Sequence, residues 1–519
     1  MRFLLCMILL LPVTASADWP ASLGREGECR VCVVRGGGHG TDVDPAGVRA
    51  TVLSTIGQAD AVGQVAGGPP VGILANRLGL RAAMVTVAVL LMILRGKRRP
   101  TLRIREMFLL TNLAWLMVCG FGALPFILSH TVGSFTDAVF ESVSGVTTTG
   151  ATVLSGLDSL PADILLWRSI MQWIGGLGII ALGAAVLPFL RIGGMRLFKT
   201  ESSDLSDKAL PRTRRILTQL LLVYVALSLA CFVSYWIGGM TVFDAINHAM
   251  TTVSTGGFST HDRSIAHFDS SAIEVIAMVF MLLAAIPFML YLPLLHGRVQ
   301  PLVSDGQVRS MLLVYGSVAA MCLAWLVATE QFGPGLALRE AIFGVLSIAT
   351  TTGYVSADYT NWGSFAIVLF FLLTFVGGCS GSTSGGIKIF RFKIAFVMLR
   401  ETMQRLLHPR ATFSRSLQNQ ALNDEVMASV MAFALVFAVT VGIAATILAA
   451  LGNDFVTSFS AAATATANVG PGIGDVIGPS QSFATLSDAS KWVVCIAMLL
   501  GRLEIFTVLI LLTPGFWRD

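Results

Sequence analysis

Long apolar runs alternate with shorter amphipathic ones, and the alternation repeats four times. Residues 107–128 are long enough to cross a bilayer, which takes about 20 apolar residues. A half-length segment follows at 135–146, then a short Thr-Gly stretch, then a second long run at 164–190. The same order returns at 216–237, 243–253 and 273–295, then at 311–328, 338–349 and 365–396. It closes with 426–451, 455–467 and 492–512. Tandem units that share a hydropathy pattern with little identity mark many transport proteins. The pattern predicts an all-α polytopic membrane protein of four tandem helix–pore-helix–helix pseudo-repeats around one central pore. The units fall at 106–200, 201–300, 301–415 and 416–519.

The chain before them has a different texture. Arg2, an apolar run at 3–11 and Ala15-Ser16-Ala17 match a secretory signal with its cleavage site. Residues 18–70 are Gly-rich and polar without amphipathic period, so 1–80 is read as an atypical N-terminal region with no function attached. Residues 81–105 read as an additional transmembrane helix and a basic cytoplasmic loop carrying Arg95, Lys97, Arg98, Arg99, Arg103 and Arg105.

Composition strengthens the membrane reading. Of 519 residues, 55% are hydrophobic and 13% charged, against about 25% charged in a soluble domain. Mean hydropathy is +0.76. The net charge of +5 gives no reason to expect nucleic acid. Most of the eight cysteines sit in apolar runs, where a thiol acts as a small hydrophobe. The close pair Cys29 and Cys32 has only His39 nearby, short of the four ligands a structural zinc takes. No Ser-His-Asp or metal constellation appears, so no enzyme is expected.

The positive charge is placed rather than spread. The linkers 191–215 and 388–415 hold seven Lys or Arg each, among them Arg191, Lys199, Arg215, Lys388, Arg391 and Arg405. The loops after the Thr-Gly stretches hold almost none, Arg263 being the main exception. The linkers are therefore cytoplasmic and the stretches open outward. Trp167 and Arg168, at a helix start, read as interface anchors. An acidic residue, Asp137, Asp244, Glu340 or Asp454, stands at the start of each half-length segment. Carboxylates stabilise helix N-termini by about 0.3–1 kcal/mol, which is ordinary capping, and the opposite negative helix ends would then face the stretches and favour a cation.

The stretches themselves are Val146-Thr147-Thr148-Thr149-Gly150-Ala151, Val253-Ser254-Thr255-Gly256-Gly257-Phe258, Ala349-Thr350-Thr351-Thr352-Gly353-Tyr354 and the degenerate Ala467-Asn468-Val469-Gly470-Pro471. Glycine admits φ > 0 without a Cβ clash and lets a loop turn its carbonyls inward. Bare backbone at membrane depth is tolerated where it lines a wet cavity or is buried in protein. A second landmark, Gly377-Gly378-Cys379-Ser380-Gly381-Ser382-Thr383-Ser384-Gly385-Gly386, interrupts the last helix of the third unit. It lacks the Gly-Lys-Ser/Thr ending and preceding strand of a nucleotide-binding loop. Arg502 lies inside an apolar helix, where arginine costs about 2.5–3.5 kcal/mol, so it should face the pore or a partner.

On these stretches, the Gly-rich break and the ending Gly501-Arg502-Leu503-Glu504-Ile505-Phe506-Thr507, the chain resembles TrkH/TrkG, the membrane subunits of bacterial potassium uptake systems in the Trk/Ktr/HKT superfamily. The resemblance covers about residues 81–519. It implies a potassium filter made of main-chain carbonyls of Thr148, Thr149 and Gly150; Ser254, Thr255 and Gly256; Thr351, Thr352 and Gly353; and Asn468, Val469 and Gly470. Glycine rather than serine at position 150 goes with potassium over sodium. The departure at Asn468-Val469 implies an asymmetric or weaker filter. The break becomes an intramembrane gating loop, with Gly377, Gly378, Ser380, Gly381, Ser382, Thr383, Ser384, Gly385 and Gly386, and Arg502 close beneath the filter. Glu141 and His248 read as filter supports or proton-sensitive groups. Further implications are potassium as the transported ion with no covalent cofactor, a multi-pass place in the bacterial inner membrane, a homodimer, and a cytosolic TrkA-like nucleotide-binding subunit. Proton- or sodium-coupled potassium symport is the alternative.

Overall fold

The computed structural model describes residues 104–185, 209–294, 296–408, 416–417, 420–421 and 424–518. The expected signal-like region at 1–80 and nearly all of the extra helix and basic loop at 81–105 lie outside these residues, as does most of the 191–215 linker. The regular structure of the described residues is helical apart from a two-residue antiparallel pairing of Ser416–Leu417 with Gln420–Ala421 and a single parallel bridge between Val376 and Ile387.

Each unit opens on a long helix: α1 (Ile104–Gly122), α4 (Ala209–Ile237), α7 (Gly306–Ala328) and α11 (Asp424–Ala450). These present apolar side chains outward, with Leu222 60%, Leu313 73% and Leu435 66% exposed, as lipid-facing helices should. A short helix follows: α2 (Phe135–Val146), α5 (Val242–Val253), α8 (Pro334–Ala349) and α12 (Phe455–Ala467). The third member is α3 (Ala162–Ala185), α6 (Ser271–Ala284), α9 (Ser364–Thr374) and α13 (Asp488–Arg502), while α10 (Ile389–Leu407) resumes after the Gly-rich break.

Local sequence explains where the short helices begin. Ser134 and Thr241 cap α2 and α5 by accepting the backbone N–H of Asp137 and Asp244, three residues on. Asp454 caps α12 through Thr457 N–H. The third unit differs from expectation. Pro334 at the first turn starts α8 four residues earlier than predicted, so Glu340 sits inside the helix and does not open it.

The short helices are wedged in a closed order. α2 packs on α3 and α13, α5 on α6 and α3, α8 on α9 and α6, and α12 on α13 and α9. Each thus sits between the third helix of its own unit and that of the preceding one, and α13 against α2 closes the circle. Five described helices are long and apolar enough to cross a membrane, or seven with two bent pairs counted as spans.

Those bends correct the sequence reading, which treats 273–295 and 492–512 as continuous. The chain turns by 92° between Ser271–Ala284 and Phe288–Leu294 and by 103° between Asp488–Arg502 and Phe506–Leu512. Pro287 supplies the first break, since it lacks the N–H that a helix would use. At the second, Glu504 takes φ +58°, which stops the helix. With the break at 375–388, three of the four third helices are interrupted, and α3 runs unbroken through 185.

Candidate ion-binding site

The four Thr-Gly stretches follow the C-termini of the four short helices, and their backbones share one unusual course. Thr148, Thr255, Thr351 and Asn468 have φ of +52°, +53°, +59° and +54°. Two residues later, Gly150, Gly257, Gly353 and Gly470 have φ of +83°, +77°, +76° and +104°. Left-handed backbone costs a non-glycine residue about 1–2 kcal/mol and is an outlier for a β-branched one. Such strain persists where the surroundings impose it, and it clusters at functional sites.

This course fixes the register. By conformation Gly257, not Gly256, matches Gly150, so the second stretch reads Thr255, Gly256 and Gly257 in place of Ser254, Thr255 and Gly256. Ser254 matches Thr147 and Thr350 instead. The signal was present in the sequence: thirteen positions separate Asp137 from Gly150, Asp244 from Gly257 and Glu340 from Gly353. In the fourth stretch that position is Thr457, and Asp454 stands three residues earlier.

The stretches meet one another. A Cβ on Gly150 would strike the Gly256 carbonyl oxygen, on Gly257 that of Thr352, and on Gly353 that of Val469. A Cβ on Gly470 would come within 2.6 Å of the Thr149 oxygen, completing the circle. Glycine is required here for close approach as well as for φ. The same four glycines, Gly257 among them, line one vestibule with Thr152, Arg168, Ser259, His261 and Pro471.

Side chains brace the ring, each in its own way. Gln172 on α3 donates to the Gly256 carbonyl at 2.6 Å and accepts from Phe258 N–H at 3.1 Å. Tyr354 reaches back to the Thr251 hydroxyl at 2.6 Å. Asn468 donates to the Thr149 hydroxyl at 3.0 Å and to the Met498 carbonyl at 2.9 Å. Glu141 is fully buried and accepts from Thr152, Val153 N–H and Arg168, the last at 2.7 Å. Arg168 is therefore no interface anchor. It is 1% exposed, paired with Glu141, and donates to the Ser259 carbonyl. Trp167 donates to the Gly122 carbonyl. His248 stands where Glu141 does in the first unit and bonds the Ser259 hydroxyl at 2.9 Å. Sequence reasoning missed Gln172 and the Asn468 side chain, because a lone amide in an apolar helix carries no pattern.

Outside the spans, the loop that follows the first stretch (loop 1) and the loop that follows the second (loop 2) are joined by charge. A hydrogen bond from His261 holds the Asp158 carboxyl below its usual range. Burial pushes the His261 imidazole down, but Asp244 and Asp158 outweigh it and hold it above its usual value.

On the opposite side of the ring lies the Gly-rich break. Thr383 Oγ1 donates to the carbonyls of Val253 and Ala284. Gly385 N–H donates to the Thr351 hydroxyl at 2.6 Å, and Gly386 N–H to the Ala467 carbonyl at 2.8 Å. The loop thus touches the backbone or side chains beneath three of the stretches. Arg502 Nη1 donates to the Thr383 carbonyl at 2.9 Å. Its Nε and Nη2 meet no acceptor among the described residues. Glu504 pairs with Arg391 at 2.5 Å, not with Arg502.

A cavity here is lined by Gly381, Ser382, Ser384, Gly385 and Gly386 with Arg502 and Asn468. Four of the expected loop residues do not line it. Gly377 and Gly378 form the base of the loop, bonded to Ile387 and Ser384, and Ser380 N–H turns to Gln307. Thr383 is spent on helix carbonyls. Lys388 and Arg391 also line the cavity. Lys388 Nζ donates to the Ser384 carbonyl. Three cations and one carboxylate therefore surround the space beneath the ring.

A ring of strained main-chain segments at the end of four short helices, set among lipid-facing spans, defines a helical membrane transport protein rather than an enzyme. A profile of the family TrkH, described as cation transport protein, matches residues 79–516. The chain belongs to this family. It is 48% identical over 444 residues to the Trk system potassium uptake protein TrkI of Halomonas elongata, covering 85% of this chain and 90% of that one. It is 40% identical over 428 residues to the Trk system potassium uptake protein TrkH of Escherichia coli K12, covering 82% and 88%. The crystal structure of the potassium transporter TrkH from Vibrio parahaemolyticus superimposes with a TM-score of 0.79 at 36% identity, covering 91% of this chain and 98% of that chain.

Proposed function

We propose that this chain carries potassium inward across the bacterial inner membrane through the ring of Thr-Gly stretches. The observation that carries the reading is the fourfold recurrence of left-handed backbone at Thr148, Thr255, Thr351 and Asn468 and at the glycines two residues on. Such backbone aims successive carbonyls along one line, where they replace the hydration shell of an alkali ion. The corrected ligand set is the carbonyls of Thr148, Thr149, Gly150, Thr255, Gly256, Gly257, Thr351, Thr352, Gly353, Asn468, Val469 and Gly470. Inward flow draws on the membrane potential, about 2.3 kcal/mol per charge per 100 mV.

The Gly-rich loop and Arg502 form the gate below. A cation in the cavity meets Lys388, Arg391 and Arg502, and among the described residues that line it only Glu504 opposes them. Opening requires the loop to release its bonds to Val253, Thr351 and Ala467. A homodimer and a cytosolic TrkA-like nucleotide-binding subunit that moves this loop complete the reading. Proton-coupled symport needs a buried carboxylate free to change its charge. Each buried carboxylate among the described residues has a basic group within 4 Å: Glu141 has Arg168, Glu504 has Arg391, Glu401 has Arg405, Asp244 has His261, and Glu274 and Glu340 share Arg339.

The test is growth of a potassium-uptake-deficient bacterium at low potassium. The wild-type chain should restore growth, and Gly353→Ser, expressed to the same level in the membrane, should not. Growth of cells carrying Gly353→Ser at the wild-type rate sinks the proposal.

A further inference from the structure

We propose that the outer rim of the vestibule holds a site for a divalent transition metal of the Zn2+ class, made by His261, His267 and Asp158. One ligand atom from each lies within 4.8 Å of the other two. The two imidazole rings are stacked, 3.5 Å between centroids and 3° from parallel. His261 Nδ1 bonds Asp158 Oδ1, and His267 Nδ1 lies 4.0 Å from the same oxygen. Both ring nitrogens thus converge on one carboxylate. Zn–N bonds of about 2.0–2.1 Å put tetrahedral ligands about 3.3 Å apart, so modest side-chain rotation closes the site around an ion. Asp158 and His267 have that freedom, at 51% and 42% side-chain exposure, whereas His261 is 17% exposed.

What makes this more than two surface histidines is the support behind His261. Its other nitrogen, Nε2, faces Asp244 Oδ1 at 3.4 Å. At that distance the pair is electrostatic rather than a hydrogen bond; a small shift that shortened it would set a carboxylate behind the ring while Nδ1 exchanged Asp158 for an ion, the arrangement found at metal-bound imidazoles. Asp244 is itself held by Thr241 and Thr260. Two imidazoles and one carboxylate, with a position left to water, suit zinc and its neighbours rather than magnesium or calcium. Leu157 N–H already donates to Asp262 at 3.1 Å, so loops 1 and 2 are apposed before any ion binds.

The location gives the site a consequence. His261 lines the vestibule with the four stretch glycines. Asp244 lies in the first turn of α5, the helix that leads to the second stretch. A bound divalent ion adds two positive charges at the mouth and staples loop 1 to loop 2. Zn2+ on the outer face therefore slows cation flux. The slowing rests on the conduction reading above; the binding does not.

The experiment titrates Zn2+ alone into the purified chain in lipid nanodiscs, by calorimetry in potassium buffer, for wild type, His267→Gln and Asp158→Asn. Neither residue belongs to the ring, and each variant should unfold thermally within a few degrees of wild type. One site per chain is expected, weakened at least tenfold in both variants. Binding as tight in both variants as in wild type, or no wild-type binding below millimolar Zn2+, overturns the site. In proteoliposomes, outer Zn2+ should reduce 86Rb+ flux several-fold in wild type and less than twofold in Asp158→Asn. Equal inhibition of the two overturns the link to flux. Intact Zn2+ binding by a chain with no flux under any condition counts against the conduction reading and leaves the metal site standing.

Discussion

Alanine at Gly257 and at Gly256 separates the two possible registers of the second stretch. Gly257 has φ +77°, and its Cβ would drive into the main-chain oxygen of Thr352. The left-handed backbone costs alanine about 1–2 kcal/mol. Overpacking against rigid backbone adds about 1–3 kcal/mol. Together these total about 2–5 kcal/mol, which at about 1.36 kcal/mol per tenfold is roughly a 30- to 5,000-fold loss of the competent ring. Gly256 lies outside the left-handed region, and its Cβ would meet the terminal amide of Gln172, the end of a flexible side chain. Displacing that amide breaks its bonds to Gly256 and Phe258, which should cost about 1–2 kcal/mol, less than the backbone clash at Gly257. The assay is 86Rb+ uptake in potassium-starved cells, normalised to chain in the membrane, with sodium competition measured alongside. Gly257→Ala should abolish uptake or its preference for potassium, and Gly256→Ala should be the milder of the two. If Gly256→Ala is the more damaging, the register drawn from backbone conformation is wrong.

Three further outcomes follow from named contacts. Arg502→Gln removes a fixed charge beneath the ring; for a separation on the order of 10 Å and an effective dielectric of about 20 this is roughly 1.7 kcal/mol, so flux should rise roughly 20-fold, and a fall would refute the barrier. Arg168→Met leaves Glu141 buried without its cation and should cost about 3–5 kcal/mol, read as thermal unfolding in detergent. Adding Glu141→Gln should restore more than half of that loss; no recovery would mean that the pair is not the unit. Asp454→Ala removes the cap of α12 and should cost about 1 kcal/mol, whereas Asp454→Asn should stay within a few tenths; equal losses would argue that the cap is not what the carboxylate supplies.

How much of this could be read from the chain depends on whether a residue acts through pattern or through place. The long spans, the four short helices and the Gly-rich break were legible because apolar runs and glycines carry periodic signals. Asp137, Asp244 and Glu340 even encode the register, through a constant distance to Gly150, Gly257 and Gly353 that the adjacent Gly256 obscures. The bends at Pro287 and Glu504 were harder, since apolar residues resume on the far side of each and the run reads as one span. Arg168 looked like a rim residue because a helix start is where anchors sit; only the fold brings Glu141 to it from 27 residues away. Gln172 and the side chain of Asn468 act across distances of up to 319 residues, which no local signal spans.

A single polypeptide supplies all four quadrants of the opening, and that changes what can vary. In an assembly of identical subunits, any substitution is copied fourfold and every quarter must tolerate it. Here Asn468 can take the left-handed turn that threonine takes elsewhere and still cross-link to Thr149 and Met498, an asymmetry that no homotetramer could adopt in one quarter alone. Covalent ordering therefore permits a division of labour, in which one quadrant is specialised for attachment to its neighbours while the remaining three preserve the shared threonine and glycine chemistry.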